Sequence, residues 1–266
     1  MKIKIKKTCL CVSARRQIDV LIFDMIIMGL LISTSPLVAQ EMTGDEILKK
    51  AEESRPVSEI TISEMTIVHK SGSKRIREIK AWMKGDDSTL VRFLSPANIK
   101  GTGFLSVDDN DWLYLPVLKK VRRIATKEKG GSFMGSDFSY DDVGGYSWEQ
   151  DFHSKLLGIE EYEGHDCYIL ELIPKNPEDI SYSKLKRWVD KENFYSMKTE
   201  YYDIHGDLLK IMYPSGFYRI EEFWISKRIE MQNVQKGSKT VIVIKETELN
   251  PKIPDNMFTT RQLERQ

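Results

Sequence analysis

Residues 112–148 read WLYLPVLKKVRRIATKEKGGSFMGSDFSYDDVGGYSW. Trp112-Leu113-Tyr114-Leu115 is a short strand stopped by Pro116, which cannot donate to a ladder. Lys119, Lys120, Arg122 and Arg123 form a basic run with two readings: a solvated hairpin edge, or a contact for an anionic headgroup or an acidic partner surface. From Ala125 to Trp148 glycines are frequent and acids cluster, yet Phe133, Met134, Phe138 and Tyr140 are large. A disordered loop carries fewer bulky apolar groups. Such a segment folds over something apolar, either as a plug for one end of a sheet or as a lid. Asp137 is placed to cap a short helical turn over 138–142.

The flanking sequence has a period of two. Ile60-Thr61-Ile62 and Met65-Thr66-Ile67-Val68 read as one strand with room for a bulge. Ile79, Ala81 and Met83 alternate with Lys80 and Trp82, and Val91 and Phe93 flank Arg92. Tyr168, Leu170 and Leu172 alternate with Cys167, Ile169 and Glu171, as do Met197, Thr199 and Tyr201 with Lys198 and Glu200. Ile229 and Met231 precede a turn at Gln235–Ser238, and the β-branched run TVIVIKET follows from Thr240. Strand signals separated by turn residues predict one antiparallel, meandering sheet. A twisted sheet of that size curls into a barrel or half-barrel. One helix precedes it: Thr43 and Glu46 make a capping box, and Ile47, Leu48 and Ala51 form an apolar stripe that ends before Pro56.

The first forty residues differ. Four lysines lie within Met1–Lys7, an apolar run spans Val20–Ser33 with Asp24 inside it, and small residues with Pro36 follow. This order is that of a secretory signal peptide over 1–40, and the run is shorter than the ~20 residues a membrane-spanning helix needs. Loss of this segment takes six basic residues and two acids from forty of each, leaving 34 against 38 and a net charge of −4. One domain over 41–266 remains, with one cysteine, Cys167, and so no internal disulfide.

Little chemistry is on offer. The balanced charge argues against a nucleic-acid binder. No two of His69, His153, His165 and His205 have helical metal spacing, and Asp108-Asp109-Asn110-Asp111 reads as a hairpin turn rather than a calcium loop. No phosphate loop, dinucleotide fingerprint or nucleophile elbow is present, and His165 with Cys167 makes a weak catalytic pair. A non-enzyme without cofactor or metal is expected.

Several stretches together resemble the outer-membrane lipoprotein-sorting family, the LolA-like group of exported bacterial proteins. They are Arg92-Phe93-Leu94-Ser95-Pro96 with Gly101-Thr102-Gly103; Asp111 to Pro116 with Lys120-Val121-Arg122-Arg123-Ile124; and Ser132 to Asp142. Tyr201-Tyr202-Asp203 with Gly206 to Lys210, and Ile253 to Thr259, also match, so the likeness spans roughly 45–262. The resemblance implies a mainly β, strongly curved antiparallel half-barrel with short helices closing its open side. It also implies a periplasmic location, an apolar cavity that carries lipid or an acylated protein, and association with RND-type exporters.

Burying an acyl chain contributes ~0.8 kcal/mol per CH₂, so ~12 methylenes give roughly 10 kcal/mol. A bilayer offers the same gain, so a shuttle needs a small step that changes affinity, and a flap over Gly130–Gly145 could supply it. Trp82, Val91, Phe93, Leu113, Leu115, Phe133, Met134 and Phe138 are the candidate cavity residues, each with plain core as its alternative because strand parity is open. Arg92, Lys120, Arg122 and Arg123 are the candidate headgroup or partner contacts. The expected function is a monomeric periplasmic carrier of lipid or lipoprotein acyl chains. The alternative is an envelope lipid sensor or regulatory partner of a membrane complex.

Overall fold

Every strand pairs with neighbours in one thirteen-stranded antiparallel sheet. The computed structural model describes residues 42–108 and 110–265; the predicted signal peptide lies outside them. Strands β1 (Ser58–Val68), β2 (Lys74–Lys84), β3 (Ser88–Ser95), β4 (Gly103–Val107), β5 (Asn110–Leu115) and β6 (Lys120–Ile124) form one half as a meander. Strands β7 (Phe152–Tyr162), β8 (His165–Pro174), β9 (Lys184–Asp190), β10 (Ser196–Tyr202), β11 (Leu208–Ile220), β12 (Phe223–Asn233) and β13 (Ser238–Leu249) form the other. β1 and β13 join the halves, so β6 and β7 are the two edges and the sheet is not a closed barrel.

The sheet is strongly bent. Phe93 and Phe104 on β3 and β4 share one buried cluster with Leu170, Leu172, Leu185 and Val189 on β8 and β9, near the opposite end of the strand order. A flat sheet would hold these residues far apart. The bulge expected in β1 is a register shift between Ile62 and Ser63, a device that tightens local bending.

Parity sorts the two faces. In β3, Val91 and Phe93 point to the inner cluster while Leu90 belongs to a second cluster on the outer face with Leu105, Tyr114, Ile253, Phe258 and Leu263. In β5, Leu113 and Leu115 point inward and Trp112 and Tyr114 outward. Helix α1 (Gly44–Glu53) has the predicted capping box and lays Ile47, Leu48 and Ala51 on the inner cluster. Its first residue, Gly44, is close-packed on β7: a Cβ there would lie 2.6 Å from the Ser154 carbonyl oxygen.

Residues 125–151 connect edge strand β6 to edge strand β7 and therefore run across the open side. They hold helices α2 (Tyr140–Gly144) and α3 (Trp148–Asp151). Ser139, not Asp137, caps α2, its hydroxyl accepting from Asp142 N at 3.1 Å. Asp137 instead accepts from the hydroxyls of Ser238 and Thr240 on β13. Helix α4 (Thr260–Leu263) sits on the outer face, with Leu263 fully buried.

Candidate functional site

Between the strap of residues 125–151 and the inner face lies an open cavity of about 400 Å³. Its wall is sheet: Met65 on β1, Ile79, Ala81 and Met83 on β2, Val91 on β3, Met212 and Phe217 on β11, Ile225 and Ile229 on β12, and Ile242 and Ile244 on β13. Phe133, Phe138 and Val143 of the strap form its roof, while Ala51 of α1, its C-terminal cap Ser54 and Arg187 of β9 close one end. Met212, Ile229 and Ile242 pack on the core yet stay only half-buried. Their remaining apolar surface faces the cavity, so filling it with hydrocarbon is favourable.

The strap is fastened to both halves of the sheet. Phe133 is fully buried and stacks on Phe93 at 5.7 Å between ring centres, with Phe104 and Tyr140 edge-on at 5.5 and 5.6 Å. On the other side, Tyr182 donates to Asp142 at 2.9 Å and Ser181 to Asp141 at 2.7 Å. Lys210 of β11 forms a buried ion pair with Asp142, and Thr240 donates to Asp137 at 2.7 Å. Burial pushes the Asp141 carboxyl up to about 6, with the neighbouring Asp142 and Asp111 carboxylates adding to it and Ser181 and Lys129 opposing it.

Of the candidate cavity residues, Val91, Phe133 and Phe138 line it. Phe93 lies one layer deeper, under Phe133 and with the Arg77 guanidinium 5.5 Å from its ring. Leu113 is core, and Leu115 and Met134 are half-buried against that core rather than on the cavity wall. Trp82 faces the other way, against the outer cluster, because Ala81 and Met83 take the inward positions of β2.

The candidate basic contacts divide as well. Arg92 points outward and donates to the carbonyls of Gly101, Gln262 and Leu263 at 3.2, 3.1 and 3.0 Å. It therefore holds α4 rather than a headgroup. Arg122 pairs with Glu128 at 3.0 Å and Arg123 donates to Asn110. Lys120 is exposed on edge strand β6, beyond the cavity wall.

Sequence reasoning missed the share of the wall supplied by α1, β1, β11, β12 and β13, the inward residues Ile79, Ala81 and Met83 of β2, and Arg187. The guanidinium of Arg187 is 4.5 Å from the Trp148 ring centre, 3.9 Å from Glu52 Oε1, and 8% exposed. Burial depresses its pKa, and burial raises those of Glu52 and Glu59.

Burial pushes the Cys167 thiol up to about 11, which suppresses the thiolate. Among the described residues no group of His, Cys, Asp and Glu could hold a metal ion, and no helix is long and apolar enough to cross a membrane.

The open, mainly antiparallel β architecture with few short helices is shared with LolA-like structures. A domain from Vibrio parahaemolyticus, provisionally described as an outer membrane lipoprotein-sorting protein, shares it at a TM-score of 0.77 and 29% identity, over 84% of this chain and 98% of that one. A DUF1329 family protein from Desulfovibrio piger matches at 0.78 and 29% identity, over 83% and 97%. A LolA superfamily protein from Nitrosomonas europaea, 24% identical, has the same fold at 0.73 over 84% of this chain and all of that one. A family model described as "-like: Uncharacterized protein" matches residues 85–265, and no curated protein matches. The chain belongs to the outer-membrane lipoprotein-sorting, LolA-like family.

Proposed function

We propose that this protein is a non-enzymatic periplasmic carrier that takes the acyl chains of a lipid or lipoprotein into its cavity and passes them on in the cell envelope. The cavity carries this reading. Its about 400 Å³ lies within the ~300–1,000 Å³ usual for small-molecule pockets. Its wall is mostly apolar, and its half-buried Met212, Ile229 and Ile242 have surface that a hydrocarbon chain would cover. Its roof is a separate segment fastened by the Phe133 rings and by the polar contacts of Asp137 and Asp142, and a carrier needs that segment to step between open and closed forms. The Vibrio parahaemolyticus neighbour's description as a lipoprotein-sorting protein supports the same reading. An inner-membrane RND-type exporter is the proposed partner, and the family resemblance is its support.

Transfer of fluorescent phospholipid or lipopeptide between donor and acceptor vesicles tests the proposal. Transfer should accelerate in proportion to protein concentration. Binding without transfer would instead fit a sensor. Protein isolated from the envelope that shows no bound lipid by native mass spectrometry, and takes up none from vesicles, would remove the reading.

A further inference from the structure

The period-two pattern of β9 sets Leu185, Arg187 and Val189 on one face, and the two aliphatic side chains are fully buried. Arg187 therefore enters the concave side among apolar neighbours and forms part of the cavity's end. Its Nε and Nη1 have no hydrogen-bond partner, and the Glu52 oxygen 3.9 Å away is beyond hydrogen-bond reach. A guanidinium held dry with two unused donors is unfavourable unless an acceptor arrives.

The charges around it select that acceptor. Glu52 lies between two guanidinium groups: its Oε2 is 3.1 Å from Arg55, and Arg55 is 3.3 Å from Asp86. Two cations thus face two carboxylates before any ligand binds, and Glu59 adds a further carboxyl group to the cavity wall. A ligand carboxylate would bring one more negative charge into a poorly solvated place. A plain hydrocarbon would leave the donors unused. An ester or amide carbonyl supplies an acceptor and no charge.

We infer that Arg187 receives the carbonyl oxygen of an ester- or amide-linked acyl chain, so that the cavity selects acylated molecules over free fatty acids and over bare alkyl chains. The inference rests on the acyl-carrier reading and deepens it. The carbonyl is shared by glycerolipids and acylated polypeptides.

Displacement of the uncharged dye N-phenyl-1-naphthylamine from the full chain tests it with three ligands of similar length: methyl laurate, laurate and pentadecane. At about pH 8, where laurate is ionised, methyl laurate should bind about tenfold tighter than pentadecane, a difference of about 1.4 kcal/mol. Laurate should bind no tighter than its ester. Arg187→Met should abolish the ester's advantage over pentadecane, while Arg187→Lys keeps part of it. Equal affinity for ester and pentadecane in the unmodified protein would overturn the carbonyl assignment and leave the carrier reading standing. A tenfold preference for laurate over the ester would overturn the uncharged head. Failure of all three ligands, and of the dye, would remove the carrier reading and this inference with it. Because the ligand comparison uses the unmodified protein, it stands even if Arg187→Met fails to fold. Competition by phosphatidylethanolamine or by a dipalmitoylated cysteinyl peptide supports the assignment, and the stronger competitor identifies the source of the carbonyl.

Discussion

Lys210 of β11 and Asp142 of α2 form an ion pair in which each side chain is only 3% exposed. It joins the strap to the far half of the sheet. Asp142 also accepts from Tyr182 at 2.9 Å and from the Ser139 backbone at 2.6 Å, so one carboxylate gathers three contacts.

Removing Asp142 should therefore leave a buried, uncompensated ammonium. Asp142→Ala is expected to lower unfolding free energy by about 3–5 kcal/mol, whereas Asp142→Leu combined with Lys210→Met should recover most of it. Urea denaturation of the three proteins measures this. An Asp142→Ala midpoint unchanged from the parent would show that the strap is held elsewhere.

Phe133 tests whether the roof is also core. Its ring is fully buried among Phe93, Phe104 and Tyr140, so Phe133→Ala should cost about 3–5 kcal/mol. Half-buried Met134 should tolerate alanine far better. A pairing of Phe133→Asp with Phe138→Asp should likewise lower the thermal midpoint sharply, which is the outcome for packed rings rather than for a lid that closes on cargo alone. Equal, small losses for Phe133→Ala and Met134→Ala would contradict the packing.

Ile242 tests the cavity without touching the strap. It faces open space beside its cross-strand partner Ile229. Ile242→Trp should fill part of the hollow and abolish dye binding while moving the thermal midpoint by no more than about 4 °C, equivalent to about 1–2 kcal/mol. Unchanged dye affinity would place the ligand elsewhere.

Asp141 predicts a pH dependence with a definite sign. Its carboxyl rises from 3.8 to about 6 because it is buried. The folded chain then binds the proton more tightly than the unfolded chain, so this group's contribution to stability falls as pH rises from about 4 to about 6 and stays lost above. Asp141→Asn should be more stable than the parent at pH near 7.5, by up to about 3 kcal/mol, and the gap should close near pH 4. Urea titrations at both pH values decide it; a gap of constant size would assign the difference to another cause.

Much of this fold can be read from alternation alone. The Thr43 and Glu46 capping box, the β1 bulge and the strands around Ile79–Met83, Val91–Phe93 and Trp112–Leu115 all stand where the period places them. The β11 and β12 side of the cavity is harder to read, because Pro214 and Gly216 interrupt β11 at mid-length and hide its alternation. Parity decides the other differences. Trp82 is large and apolar, but its neighbours Ala81 and Met83 own the inner face of β2. Arg187 had a legible signal: a charge in phase with Leu185 and Val189 is an inward charge.

The strand order sets a limit on when this protein can work. β1, near the start of the described chain, pairs with β13, near its end, at the middle of the sheet, and the cavity wall crosses that seam from Met65 to Ile242. A ribosome-bound chain lacking β13 would own two unjoined half-sheets and no hollow. Ligand uptake must therefore await the synthesis of β13, and a truncation that removes β13 should destroy binding completely rather than weaken it.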